Sequence, residues 1–127
     1  MQPISIDDYI SNLEQASQIL NTDPISVSES AAEKINKCRQ YLDHKMSASD
    51  DLYYGINTGF GYLQNVKVDN AQLEKLQENL IKSHACGMGD EVPSTIVKLM
   101  LALKIKSLCY GHSGVQLKTV QIGRAHV

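Results

Sequence analysis

Two glycine-rich segments of this 127-residue sequence carry side chains that could do chemistry. The first, residues 54–61, reads Tyr-Gly-Ile-Asn-Thr-Gly-Phe-Gly, and the second, residues 83–89, reads Ser-His-Ala-Cys-Gly-Met-Gly. The first lacks the Gly-Lys-Ser/Thr ending of a phosphate-binding loop and the glycine spacing of a dinucleotide fingerprint. It fits a mobile lid whose glycines absorb backbone change while Tyr54 reaches into a pocket. A plain structural loop is the alternative.

The second segment places a histidine where a predicted helix ends. His84 either takes part in function or caps the helix and eases its dipole. The remaining histidines have no partner at the spacing of metal ligands, so no metal site is expected. The cysteines are odd in number and lack a Cys-x-x-Cys pair, which favours reduced thiols over a disulfide framework. These cysteines are Cys38, Cys86 and Cys109.

Composition and charge exclude several classes of function. Twelve Lys and Arg stand against 14 Asp and Glu, which gives a net charge of −2 with no basic block. A nucleic-acid partner or an anionic membrane partner is therefore unsupported. No apolar run approaches the length of a bilayer span, and the first residues do not resemble a signal peptide. We expect a cytoplasmic protein without a membrane partner.

Periodic apolar residues predict the elements that must position these side chains. The spacing predicts helices from residue 6 to 20, from about 30 to 44, from 69 into the second glycine segment, and from 93 to about 110. Ser5 is the expected cap of the first helix, and Ser28 or Ser30 that of the second. A short strand is predicted at residues 25–27, and Gly111 is expected to end the fourth helix. The predicted fold is therefore mainly α, with two glycine-rich breaks between long helices.

The two glycine-rich segments together resemble the aromatic amino-acid ammonia-lyase family. A third block, Tyr-Gly-His-Ser-Gly-Val at residues 110–115, extends the match, which is sharp over residues 53–116. The resemblance implies that residues 1–121 are the amino-terminal part of an ammonia-lyase (L-aspartase-like) helical fold with a glycine-rich lid loop. It also implies that this domain is incomplete and that the complete enzyme is a homotetramer.

The resemblance further implies a reaction without an added cofactor. Family members use a methylidene-imidazolone electrophile that forms from their own Ala-Ser-Gly, a triplet absent from this sequence. By resemblance, Tyr54 is the base for the β-proton, Gly61 lets the loop backbone approach the substrate, and Ser83 and His84 line its pocket. A free tyrosine has a pKa of about 10, so a nearby donor or positive charge must favour its phenolate. The sequence does not identify that group.

The pair of residues before Ala85 bears on the substrate. Members acting on histidine typically carry Ser-His here, those acting on tyrosine His-Leu, and those acting on phenylalanine Phe-Leu. The pair Ser83-His84 therefore favours L-histidine, which such members convert to trans-urocanate in histidine catabolism. Three alternatives stay open: a tyrosine or phenylalanine ammonia-lyase, an aminomutase with the same electrophile, and a non-catalytic binding domain derived from the lyase amino terminus.

The final hexapeptide, residues 122–127, has an unusual sequence. Ile-Gly-Arg-Ala-His-Val matches a translation of the sequencing-adapter stretch ATC GGA AGA GCA CAC GTC, and Gly123 would weaken a helix. We expect these six residues to be a non-native tail. Because Ala-Ser-Gly is absent, we also expect the 127-residue chain to be inactive by itself.

Overall fold

The computed structural model describes residues 4–6, 12–21 and 25–127, without the side chains of Ile4 and Asn70. The described chain is mainly helical, which confirms the predicted fold class. It divides into two compact units, residues 1–45 with 91–127 and residues 46–90. The helices are α1 (Leu13–Ile19), α2 (Glu29–Ala48), α3 (Leu73–His84), α4 (Ser94–Cys109) and α5 (Leu117–Arg124), with single 3₁₀ turns at Gly61–Leu63 and Asn70–Gln72. Strand β1 (Ile4–Ser5) pairs in parallel with β2 (Ile25–Ser26).

The first helix differs from the expected one, whereas the second begins at one of the two expected caps. Asn12 interrupts the predicted helix over residues 6–20, because its backbone is extended. Its Oδ1 accepts a hydrogen bond from the Gln15 amide at 2.9 Å, so Asn12 is the cap at which α1 begins. Ser5 ends β1 and Ile6, directly after it, is helical, so the expected cap at Ser5 stays a prediction; residues 7–11 lie outside the described part. Ser28 caps α2, since its Oγ accepts from the Ala31 amide at 3.0 Å.

In the larger unit, the described residues form a hydrophobic core between the helices. Gly111 ends α4 as predicted, with φ of +72°, and packs so tightly on α2 that a Cβ there would lie 2.8 Å from Lys34 atoms. Any other residue at this position would be strained and would clash with α2. The buried apolar residues of this core are Ile6, Ala16, Ile19, Ile25, Ala31, Ile35, Ala102, Ile105, Cys109 and Val120.

Helix α4 is apolar on more than the side that faces this core. Ala102 and Ile105 are buried, while Ile96, Met100 and Leu103 are 50%, 62% and 44% exposed. Helices that are apolar around most of their surface are normally buried. This exposed side, named the open face of α4, therefore has the character of a surface that another polypeptide segment covers.

Among the described residues, no helix is long and apolar enough to span a membrane.

The last helix continues into the hexapeptide. Helix α5 runs through Gly123 to Arg124, and Val127 packs partly buried against the core. The expected weakening of the helix at Gly123 does not interrupt it. A Cβ at Gly123 would lie 3.6 Å from Ile105, an ordinary contact. The non-native origin of residues 122–127 stays a prediction.

Candidate active site

The first glycine-rich segment lies in a loop that is closed at its base. The Lys67 ammonium lies 2.7 Å from the Asp50 carboxylate, and Thr58 forms an antiparallel bridge with Lys67. The Gly59 amide donates to the Val66 carbonyl at 3.0 Å. The hydrogen bond from Lys67, together with its charge, holds the pKa of Asp50 below its usual range. Residues 57–59 are thus paired with residues 66–68.

Tyr54 lies in a tight turn at one end of this loop. The Tyr53 carbonyl accepts from the Ile56 amide at 3.0 Å and from the Asn57 amide at 3.2 Å. The Asn57 side chain closes the same turn from the other direction, because its Oδ1 accepts from the Tyr53 amide at 2.7 Å. Residues 53–57, named the Tyr54 turn, therefore hold the backbone on both sides of Tyr54.

The Tyr54 side chain reaches outward from this turn. It is 63% exposed, and its ring meets the Phe60 ring edge-on with centroids 6.0 Å apart. Its Oη accepts a long hydrogen bond of 3.4 Å from the Gly61 amide. Gly61 has φ of +57°, a conformation that side chains rarely adopt, and open space lies where a Cβ would stand. The structure thus brings Tyr54 and Gly61 together and supplies a backbone donor to the phenol oxygen that the sequence did not identify.

Ser83 and His84 end α3 and share one carbonyl. The Ser83 hydroxyl donates to the Leu80 carbonyl at 2.8 Å, and His84 Nδ1 lies 2.9 Å from the same oxygen. Ser83 Oγ and His84 Nδ1 are also 2.9 Å apart. A hydrogen on Nδ1 satisfies these contacts, and this tautomer leaves Nε2 as an acceptor. His84 therefore caps the helix, as the structural alternative proposed, while its Nε2 has no partner among the described residues.

Helix α3 is held by charged contacts more than by burial. None of its residues is buried, and Ile81 is 68% exposed. Glu78 accepts from Lys75 at 2.8 Å and from Lys82, and these two hydrogen bonds hold the pKa of Glu78 below its usual range. The helix end that carries His84 is therefore weakly anchored.

The predicted site residues fall into two contacting pairs. Tyr54 contacts Gly61, and Ser83 contacts His84. Within residues 46–90, which the structure describes apart from one side chain, no hydrogen bond or ring contact joins the two pairs. In the described residues, no group of three or more His, Cys, Asp or Glu could hold a metal ion. The chain presents an open phenol and an open imidazole without enclosing a substrate between them.

Comparisons with known proteins agree on one family. The profile of the aromatic amino acid lyase family matches residues 11–126. The histidine ammonia-lyase of Deinococcus radiodurans is 42% identical over 112 residues, which cover 87% of this chain and 21% of that protein. This chain therefore spans about a fifth of the length of that relative.

Solved structures share the fold. The histidine ammonia-lyase of Trypanosoma cruzi superposes with a TM-score of 0.80 at 32% identity, over 96% of this chain and 23% of that one. The tyrosine aminomutase of Streptomyces globisporus superposes with a TM-score of 0.86 at 23% identity, over 98% and 24% of the two chains. At that identity the second likeness shows the fold alone.

Proposed function

Because the chain belongs to the aromatic amino acid lyase family, we propose that it is the amino-terminal part of a histidine ammonia-lyase, which releases ammonia from L-histidine to give trans-urocanate. One observation carries the choice of histidine: Ser83 and His84 end α3 with Nδ1 held at the Leu80 carbonyl and Nε2 left as an open acceptor. The identity to the Deinococcus radiodurans enzyme supports the same choice.

The proposed base is Tyr54. The β-proton of an amino acid is weakly acidic, so its removal needs a base placed beside it. The Tyr54 hydroxyl points outward, and the Gly61 amide at 3.4 Å can donate to its oxygen as negative charge develops. Hydrogen bonds to the charged form favour that form. Open space beside Gly61 leaves room for the substrate to approach the same oxygen.

The proposed role of His84 is to recognise the substrate ring. An imidazole N–H of L-histidine can donate to the open Nε2 of His84, because the Leu80 carbonyl, which can only accept, holds the hydrogen of His84 on Nδ1. A phenyl ring has no donor to offer, so it would leave Nε2 unpaired. A phenol has a donor O–H, but this lies at the para position, farther from the amino-acid backbone than an imidazole N–H. A pocket built for a polar partner rejects analogues that lack it.

The electrophile implied by the family is absent from this sequence, because no Ala-Ser-Gly occurs in it. In a complete enzyme, a methylidene-imidazolone would supply an electron-poor carbon that activates the substrate for loss of ammonia. Tyr54 is 63% exposed and His84 is exposed, so both side chains are accessible to a group that another segment supplies. Our proposal is that they act in a homotetramer in which other segments supply the electrophile, and that this chain is inactive alone.

The alternatives differ in their products. An aminomutase begins with the same proton removal but returns the amino group to the neighbouring carbon, and a tyrosine or phenylalanine ammonia-lyase releases a different acrylate. A non-catalytic binding domain would make no product.

The genomic locus tests whether this chain is part of a longer enzyme. We expect the reading frame of the genomic locus to continue beyond Gln121 with a sequence other than that of residues 122–127. Farther downstream, the same reading frame should encode Ala-Ser-Gly. The product of that complete gene is called the full-length enzyme below. A genuine stop codon after Gln121 or Val127 would instead support the binding domain.

A further inference from the structure

We infer that Asn57 is the positioning residue for Tyr54: its buried amide closes the Tyr54 turn and so determines where the Tyr54 hydroxyl lies. This inference rests on the proposed function, in which Tyr54 is the base. Asn57 is 4% exposed, although it lies in a loop whose other polar residues are mostly in solvent. A buried amide needs partners for its polar atoms, and Asn57 has them.

Four hydrogen bonds connect Asn57 to its surroundings. Its side chain accepts from the Tyr53 amide at 2.7 Å and donates to the Asp51 carbonyl at 2.8 Å. Its backbone amide donates to the Tyr53 carbonyl at 3.2 Å, and its carbonyl accepts from the Val68 amide at 2.9 Å. Asn57 therefore links the entry of the loop, the turn itself and the returning segment.

These bonds act on the residue directly before Tyr54. Both main-chain polar groups of Tyr53 are bound by Asn57, which restrains the backbone directly before Tyr54. Beyond the turn, the Tyr54 side chain has an edge contact with the Phe60 ring and one long hydrogen bond from the Gly61 amide at 3.4 Å. The position of the hydroxyl is thus determined chiefly from the turn, which Asn57 closes.

The amide is the side chain that this position requires. One planar group must accept from an N–H and donate to a C=O at once, which asparagine does with its two ends. In Asn57→Asp the acceptor for Tyr53 survives, but a carboxylate oxygen would face the Asp51 carbonyl without a hydrogen between them. In Asn57→Ala both partners would be left buried and unpaired.

A double-mutant cycle in the full-length enzyme tests the inference. We expect Asn57→Ala to lower kcat by about tenfold to a hundredfold, the loss that a base misplaced by about an ångström produces. In a Tyr54→Phe background the same change should cost less than about twofold, because no hydroxyl remains to be positioned. A role in stability alone would lower activity by the same factor in both backgrounds. Asn65→Ala is the matched control, since Asn65 is an exposed asparagine of the same loop.

Hydrogen exchange provides a readout that does not depend on turnover. In the 127-residue chain, we expect amides of residues 53–57 to exchange faster in Asn57→Ala than in the unsubstituted chain, and to be unchanged in Asn65→Ala. Asn57→Asp should give a smaller increase, which covers the case in which Asn57→Ala fails to fold. Unchanged exchange in both Asn57 variants would overturn the inference.

The two proposals fail in different ways. If Tyr54→Phe keeps full turnover, the assignment of the base is wrong and the role of Asn57 in positioning it falls as well. If Tyr54→Phe loses turnover while Asn57→Ala loses none, or loses the same factor in both backgrounds, only the positioning role is wrong.

Discussion

Two adjacent tyrosines allow the proposed base to be tested against a control of the same chemistry. Tyr54→Phe and Tyr53→Phe each remove one hydroxyl and keep the ring. Among the described residues, the Tyr54 hydroxyl has one hydrogen bond, from the Gly61 amide at 3.4 Å, and the contact of its ring with Phe60 survives the change. The Tyr53 hydroxyl contacts Ser49 at 3.2 Å and the Asp51 carboxylate at 3.4 Å.

The magnitudes separate the two roles. A typical hydrogen bond contributes about 0.5–1.5 kcal/mol to stability, and a long one at an exposed side chain belongs at the low end of that range. Tyr54→Phe should therefore lower the free energy of unfolding by less than Tyr53→Phe does. General base catalysis contributes about two to four orders of magnitude, or about 2.7–5.4 kcal/mol at about 1.36 kcal/mol per factor of ten. For Tyr54→Phe the expected loss of kcat is thus far larger than any loss of stability.

The assay compares kcat, KM and thermal unfolding of both variants in the full-length enzyme. We expect Tyr54→Phe to lose kcat by about two to four orders of magnitude with KM changed far less, because the lost interaction belongs to the transition state. Tyr53→Phe should keep most of its turnover and unfold at a lower temperature. The reverse pattern would mean that the wrong tyrosine was assigned. Full activity in both variants would make the segment a structural loop and place the base elsewhere.

Four further outcomes are expected. Replacing Ser83-His84 by His-Leu in the full-length enzyme should lower kcat/KM for L-histidine relative to L-tyrosine, since the open imidazole acceptor is lost; an unchanged ratio with a lower melting temperature would show that His84 only caps α3. The purified 127-residue chain should form no urocanate from L-histidine, because it lacks Ala-Ser-Gly, and absorbance above that of a blank would refute this. The same chain should self-associate through the open face of α4, where Met100 is 62% exposed; Met100→Lys should raise the monomer fraction in size-exclusion chromatography, and a sharp monomer peak of the unsubstituted chain would contradict the idea. Glu78 should make α3 sensitive to acid, because the pKa of Glu78 is held low in the folded chain. Its stabilising effect is therefore complete above the ordinary pKa of 4.5 and is lost as the pH falls through the lowered pKa. Circular dichroism should show this acid-dependent loss of helix in the unsubstituted chain and a weaker one in Glu78→Gln.

The long helices were predictable from sequence because their signals are local. Helix α2 follows from apolar spacing and a serine cap, and the end of α4 at Gly111 follows from the preference of glycine for positive φ. Strand β1 was not predictable, since two residues gain their conformation only by pairing with Ile25 and Ser26 twenty-one positions away. The start of α1 was missed because Asn12 lies inside an apolar pattern that continues across it.

The residues proposed for the site come from the sequence, whereas their contacts appear only in the structure. Tyr54, Gly61, Ser83 and His84 came from the resemblance, which names side chains but not their hydrogen bonds. The donor to Tyr54 is a backbone amide of Gly61, and no residue type reveals where a backbone amide points. The sequence does not mark Asn57 as a positioning residue, because an asparagine among glycines is typical of a turn. Its burial, which marks it as more than a turn former, appears only in the structure.

The most direct test of the central proposal is the product that the full-length enzyme makes from L-histidine. Urocanate absorbs in the ultraviolet, so its formation can be followed continuously and compared with the acrylates formed from L-tyrosine and L-phenylalanine. We predict that kcat/KM is highest for L-histidine, that urocanate and ammonia form in equal amounts, and that no β-amino acid appears. Preferred turnover of L-tyrosine or L-phenylalanine, a β-amino acid product, or no product from any of the three would contradict the proposal.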